Sequence, residues 1–263
     1  MKEVSLLELL KSGVHFGHQA KNWHPKMKPY IFTMRGGIHI IDLEKTVPML
    51  RQACSFVSGI VAKGGTVLFV TTKRQATEIV KQMADSVGMP SVTQRWIGGT
   101  LTNFDNITKL VRRLKDLREK RKSGALDKYT KREQLQFSEE IANLEKLVGG
   151  IESLDKLPNA IFMIDIKKDK TALREARKKK IPVVAMADTN VNVDLIDYPI
   201  PANDDATKSI KLITTIVAEA VKEGQSKQKL PPTTSDADKA ATQETKTDTS
   251  AKKEEKNKKE EKK

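Results

Sequence analysis

The chemistry this sequence can offer is cationic and aromatic. Lys21, Trp23, Lys26, Lys28 and Arg35 fall in one stretch that also holds Tyr30 and is stiffened by Pro25 and Pro29. Long cations beside flat rings can grip phosphates and stack on bases or riboses. The competing account packs Trp23 and Tyr30 into the core and leaves the lysines to water. Arg95 and Trp96, just before Gly98-Gly99, form a second group of the same kind. Lys73 and Arg74 follow one apolar run, and Lys167 and Lys168 follow another. Fixed positive charge along a crevice, without a catalytic base, suits a phosphodiester backbone better than a reacting substrate. Arg112 and Arg113 open a further basic run ending at Lys122, for which a solvated helix surface is the alternative.

A metal is the second chemistry to weigh. His18 could join Asp188, Asp204 and Asp205, which all follow late strands, in a mixed nitrogen and oxygen site for a structural divalent ion. The plainer reading has the aspartates capping helices and turns. No cofactor is otherwise required. Gly64-Gly65 precedes its apolar run, the turn after that run is Thr71-Thr72-Lys73-Arg74, and no Lys-Ser/Thr pair follows Gly98-Gly99, so a phosphate-cradling loop is missing. No Ser-His-Asp order or paired-carboxylate spacing stands out, and no catalytic residue is assigned.

These side chains need a scaffold. Thr66 to Val70, Ala160 to Ile164 and Val183 to Met186 are continuous apolar runs announced by Gly or Pro and separated by helical patterns. Runs apolar on both faces suit buried parallel strands, with Val92 and Tyr198 to Ile200 as shorter candidates. Tyr30 to Met34 and Ile38 to Ile41 flank Arg35-Gly36-Gly37 as a β-hairpin, the intervening segment before it reading as loop. A short helix starts at Ser5, a longer one spans about 46 to 62, and a final one places Ile210, Ile213 and Val217 on one face. The expected class is α/β, a mainly parallel sheet with helices on both faces, a three-layer arrangement of Rossmann or flavodoxin type. Its body comprises residues 1-102 and 150-224. Residues 103-149 interrupt the alternation with two heptad-like helices, read as an inserted coiled-coil helical hairpin projecting about 25 to 30 Å. Residues 225-263 are Lys/Glu-rich and read as a disordered tail.

Lys and Arg outnumber Asp and Glu by 48 to 34, a formal charge of +14, and nucleic acid heads the list of partners. The tail accounts for only +3 of this. A single cysteine, Cys54, excludes an internal disulfide. With no long apolar run and no signal-peptide pattern, the chain is expected to be cytoplasmic, with no membrane partner.

The same stretches form an ordered set: GVHFGH at 13-18, WHPKMKPYIF at 23-32, IHIIDLEKT at 38-46, FVTTKRQA at 69-76, RWIGGTLTNF at 95-104, LPNAIFMID at 157-165, IPVVAMADTN at 181-190 and YPIPANDDA at 198-206. Together they closely resemble the bacterial and organellar ribosomal protein S-two family. The resemblance implies a place on the small subunit, contact with small-subunit rRNA and other ribosomal proteins, including the mRNA-binding protein S-one, and a monomer within the ribosome. Lys26, Lys28, Lys73, Arg74, Arg95 and Trp96 lie inside matched motifs and carry over as RNA-contact candidates. Three departures alter loops: His24 stands for a usual Asn, Asn192-Val193-Asp194 for Cys-Asp-Pro, and Ala202 for Gly.

Overall fold

A computed structural model describes residues 5 to 229. Its main sheet has five parallel strands, β4 (Val67–Val70), β5 (Ser91–Val92), β6 (Ala160–Met163), β7 (Val183–Ala187) and β8 (Tyr198–Pro201), in the order β5-β4-β6-β7-β8. Side chains alternate between two cores, as the pleat dictates. Leu68, Val70, Ile161, Met163, Val183 and Ala185 face one core. Val67, Phe69, Ala160, Phe162, Val184 and Met186 face the other, where Phe69 and Phe162 meet edge-on at 5.5 Å. Burial on both faces explains why these runs are unbroken by polar residues.

The second core is covered by α1 (Leu6–Lys11), α2 (Leu43–Ala62), α3 (Arg74–Ser86) and α7 (Thr207–Lys229). The first is covered by α4 (Phe104–Lys122), α5 (Lys131–Val148) and α6 (Lys170–Lys178). Asp42 caps α2 by accepting from the Glu44 amide, and Thr130 with Glu133 forms a reciprocal capping box on α5. Helix α7 runs five residues past Gly224, tied by the Gln225 side chain to the Val87 carbonyl at 2.8 Å, so the expected tail does not begin at 225. The tail from residue 230 onward lies outside the described residues. Among the described residues no helix is long and apolar enough to cross a membrane.

A second, three-stranded antiparallel sheet has the order β1-β3-β2: β1 (Phe16–Gln19), β2 (Ile31–Arg35) and β3 (Ile38–Ile41). Gly36 and Gly37, at φ 58° and 76°, make the turn between β2 and β3, a left-handed pair that side-chain-bearing residues adopt at a cost. Strand β1 was expected to be loop. It is short, half-exposed and contains a glycine, so it carries no period-two signal. Gly17 is needed there, because a Cβ would meet Thr189 Cγ2 at 2.6 Å and the His39 carbonyl at 3.1 Å.

Helices α4 and α5 occupy the expected span, with part of α4 held against the body as well as against α5. Arg113 bonds Glu140 and Arg118 bonds Glu145, both across 27 residues, whereas partners on antiparallel arms draw closer in sequence toward the tip. Arg118 also bonds Glu152 at 2.6 Å and lines a cavity with Lys81 and Asp85 of α3. Leu114 and Leu117 are buried to 0 % and 1 % exposure. The heptads correctly mark an apolar seam; what covers it includes the body of the protein.

Candidate nucleic-acid interface and acidic cluster

Residues 20 to 30 form two 3-10 turns anchored by the fully buried Met27. The His24 side chain accepts from the Lys26 amide at 3.2 Å, and the His24 amide donates to the Thr189 carbonyl at 2.8 Å. Lys45 Nζ holds the Pro29 carbonyl at 2.6 Å, and the Asp42 amide donates to the Tyr30 carbonyl at 2.9 Å. The loop is therefore pinned by residues remote in sequence. Lys26 pairs with Asp194 at 2.7 Å, which raises its pKa. Lys21, Lys28 and Arg35 are exposed and form no ion pair among the described residues. Lys26, Lys28, Tyr30, Lys45 and Asp194 line an open cavity of about 770 Å³. Trp23, 38 % exposed, stands edge-on to His39 at 5.3 Å, while Tyr30 packs against the core. Phe32, 74 % exposed on β2, was not singled out from the sequence. A strand phenylalanine reads as core, but β2 is exposed from Phe32 to Arg35.

The Arg95 loop is shaped by one buried carboxylate. Glu175 of α6 accepts from Trp96 Nε1 at 3.1 Å, from the amides of Gly99, Leu101 and Thr102 at 2.8, 2.9 and 3.1 Å, and from the Thr102 hydroxyl at 3.2 Å. Burial alone would push its pKa up, but these donors reverse the shift and leave it lowered. Arg95 is exposed. Trp96 is not the free stacking platform expected: its N–H is committed to Glu175 and its ring packs against the core.

Strand order 5-4-6-7-8 puts the switch point, where doubly wound sheets bind ligands, between β4 and β6. Here it is filled from within. Asp169 accepts from the Thr72 amide and hydroxyl at 3.0 and 2.8 Å, and Lys168 Nζ donates to the Thr72 carbonyl at 2.6 Å. Lys73 corrects a second expectation, because its side chain is 9 % exposed and turns inward. Its ammonium lies 2.7 Å from Asp204, 2.6 Å from Asp205 and 3.6 Å from Asp165. Desolvation lowers its pKa, yet the aspartates outweigh it and the net shift is upward. A cation committed to three carboxylates is not offered to phosphate. Arg74, the next residue, is exposed.

His18, Asp188, Asp204 and Asp205 do converge, with one donor atom from each within 4.8 Å of the others. Gly17 lets β1 approach Thr189, whose hydroxyl accepts from the His18 amide at 2.9 Å. His18 Nδ1 lies 3.0 Å from Asp188 and Nε2 3.4 Å from Asp205. The hydrogen bond and charge of Asp188 outweigh burial and raise the His18 pKa. Burial, then the charges of Asp188 and Asp165, push Asp204 up to about 7. The N-terminal segment is tied to the same edge by Asn203, whose amide and side chain donate to the carbonyls of Val14 and Gly13 at 3.0 and 3.1 Å. Arg112 on α4 is exposed, whereas Arg113 is engaged by Glu140 at 3.0 Å, leaving it little charge to present.

Residues 9–224 match the family model for ribosomal protein S2. The chain is 52% identical over 225 residues to small ribosomal subunit protein uS2 of Roseiflexus sp. (strain RS-1), covering 86% of each chain. It is 50% identical over 225 residues to the uS2 protein of Coprothermobacter proteolyticus, covering 86% of this chain and 84% of the relative. The uS2 protein of Solidesulfovibrio magneticus is 49% identical over 229 residues, covering 87% and 89%. The chain therefore belongs to the ribosomal protein S2 family, whose members are structural proteins of the small ribosomal subunit and not enzymes.

Proposed function

We propose that this protein clamps small-subunit rRNA through side chains fixed on a rigid α/β body, with Lys21, Lys28, Arg35, Arg74, Arg95 and Arg112 as phosphate contacts. The carrying observation is the 21–35 loop, whose backbone is pinned to Thr189 and whose Lys26 is paired with Asp194, while Lys21, Lys28, Arg35, Trp23 and Phe32 are exposed. Pre-ordered cations lose little entropy on meeting a polyanion, and each phosphate neutralised adds to the salt dependence of binding. The test is a binding titration with transcribed small-subunit rRNA from about 50 to 200 mM salt. Affinity is expected to fall steeply for the native chain and less steeply for Lys21→Gln/Lys28→Gln/Arg35→Gln. Salt-independent binding of the native chain would defeat the proposal.

The surface of α4 and α5 is proposed as the docking face for a neighbouring ribosomal protein, S-one among them. It is supported by Leu135 of α5 and by Tyr129 in the connection between the two helices, exposed at 60 % and 47 %. The His18 cluster is proposed to hold a divalent ion. Among the described residues the carboxylates of Asp165, Asp188, Asp204 and Asp205 pair with Lys73 and His18, and the mixed donor set suits zinc better than magnesium or calcium. Such an ion would tie β1 to the ends of β7 and β8.

A further inference from the structure

Helix α6 carries a run of positive charge that the interface described so far does not use. Lys170, Arg174 and Lys178 step by four residues, which places them in one stripe about 12 Å long at ~1.5 Å per residue. All three are exposed, as are Arg177, Lys179 and Lys180. The only acids on or just before the helix, Asp169 and Glu175, are buried and bonded inward. None of the six cations forms an ion pair among the described residues. This contrasts with α4, where Arg113, Arg118 and Lys120 are each held by a carboxylate. Arg177 and Lys180 share a cavity with Asp194 and Asp197, so their charge is partly compensated.

The arrangement works against the helix itself. Like charges four residues apart repel. A polyanion laid along the stripe relieves that penalty. The same helix contributes Glu175, which binds the Trp96 indole N–H and so fixes the turn bearing Arg95 beside it. We infer that the exposed face of α6, centred on Lys170, Arg174 and Lys178 and extended by Arg95, is a second phosphate-backbone site for small-subunit rRNA. This rests on the rRNA-binding reading above. A stripe of that length spans about three phosphates of one strand, and its contacts fix register without reading sequence.

The test uses the full chain and transcribed small-subunit rRNA. Lys170→Gln/Arg174→Gln/Lys178→Gln is expected to lower the slope of log affinity against log salt by about two, at ~0.7 to 0.9 for each phosphate no longer neutralised. Lys208→Gln/Lys211→Gln/Lys222→Gln removes equal charge from α7 on the other side of the sheet and is expected to change the slope much less. If the native chain binds with a steep slope and the α6 variant matches it, the α6 site is wrong and the 21–35 loop reading survives. Equal losses from both variants reduce the effect to net charge and also overturn it, and a flat native slope overturns the rRNA reading itself. A second measurement is independent of the triple variant's folding. Cys54 is buried, with burial pushing its thiol up to about 12, so an iron chelate can be attached selectively at Arg174→Cys. Localised rRNA strand cleavage from that position supports the site, and none, with binding intact, refutes it.

Discussion

Replacing Glu175 with leucine removes the acceptor around which residues 96 to 102 are folded. Five donors converge on this carboxylate, three of them backbone amides, and hydrogen bonds to a charged group are worth about 1.5 to 3 kcal/mol each. The costs do not add in full, because Trp96, Gly99 and Thr102 are only partly buried and water can reach them once the loop loosens. Leu101 is fully buried, so its amide is the one left dry. A net loss of about 3 to 5 kcal/mol follows, the range for breaking a buried charged network. At about 2 to 4 °C per kcal/mol for a body of this size, the melting temperature should fall by roughly 10 °C. The sign with pH is fixed by the lowered pKa: the contribution is present above the ordinary glutamate range and lost as pH falls through the folded value. The deficit of the variant should therefore shrink in acid. Urea unfolding with amide exchange at residues 99, 101 and 102 measures both. A loss under about 1 kcal/mol, or unchanged protection at Leu101, would show that the loop holds its shape by other means.

Three further outcomes are expected. Without divalent metal, stability should fall as pH rises from about 4 through about 7, and further as His18 loses its proton: His18 and Asp204 both have raised pKa values, so the folded form holds protons that the unfolded form has shed, and that advantage vanishes as they leave. Added zinc should reduce or reverse the fall, and His18→Ala should abolish the zinc effect in thermal melts. Lys28→Glu with Arg35→Glu should weaken rRNA binding at least tenfold with a melting temperature within about 2 °C of native, since surface changes of this kind cost little; unfolding would make the loop structural instead. Gly17→Val should cost more than about 2 kcal/mol in urea unfolding, because the new side chain collides with Thr189 and the His39 carbonyl, and an unchanged midpoint would remove β1 from its place.

Strands β4, β6 and β7 were legible because burial on both faces leaves an uninterrupted apolar run, and the β2–β3 turn because two consecutive glycines answer a backbone demand. Local pattern could not reveal β1, whose position depends on Gly17 fitting under Thr189. Nor could it show where Lys73 points: a lysine after a strand looks solvated until Asp165, Asp204 and Asp205 arrive from far along the chain. Glu175 left a faint trace, as an acid set among the buried Ala172, Leu173 and Ala176 of an otherwise basic helix. The α4 and α5 heptads identified which face is apolar and were silent on what lies against it. Of the metal-ligand candidates, the aspartates' common sheet edge was readable from their positions after late strands, whereas their approach to His18 is visible only in three dimensions.

The pinning of the 21–35 loop sets an order of events during synthesis. His24 is held by Thr189, Lys26 by Asp194, and Gly13 and Val14 by Asn203. Those partners leave the ribosome some 165 to 190 residues after the segment they hold. At about 5 to 20 residues per second the wait is roughly 10 to 40 s. A nascent chain thus carries this basic loop unshaped until residues 189 to 203 have emerged, and products that stop short of them lack its holding partners.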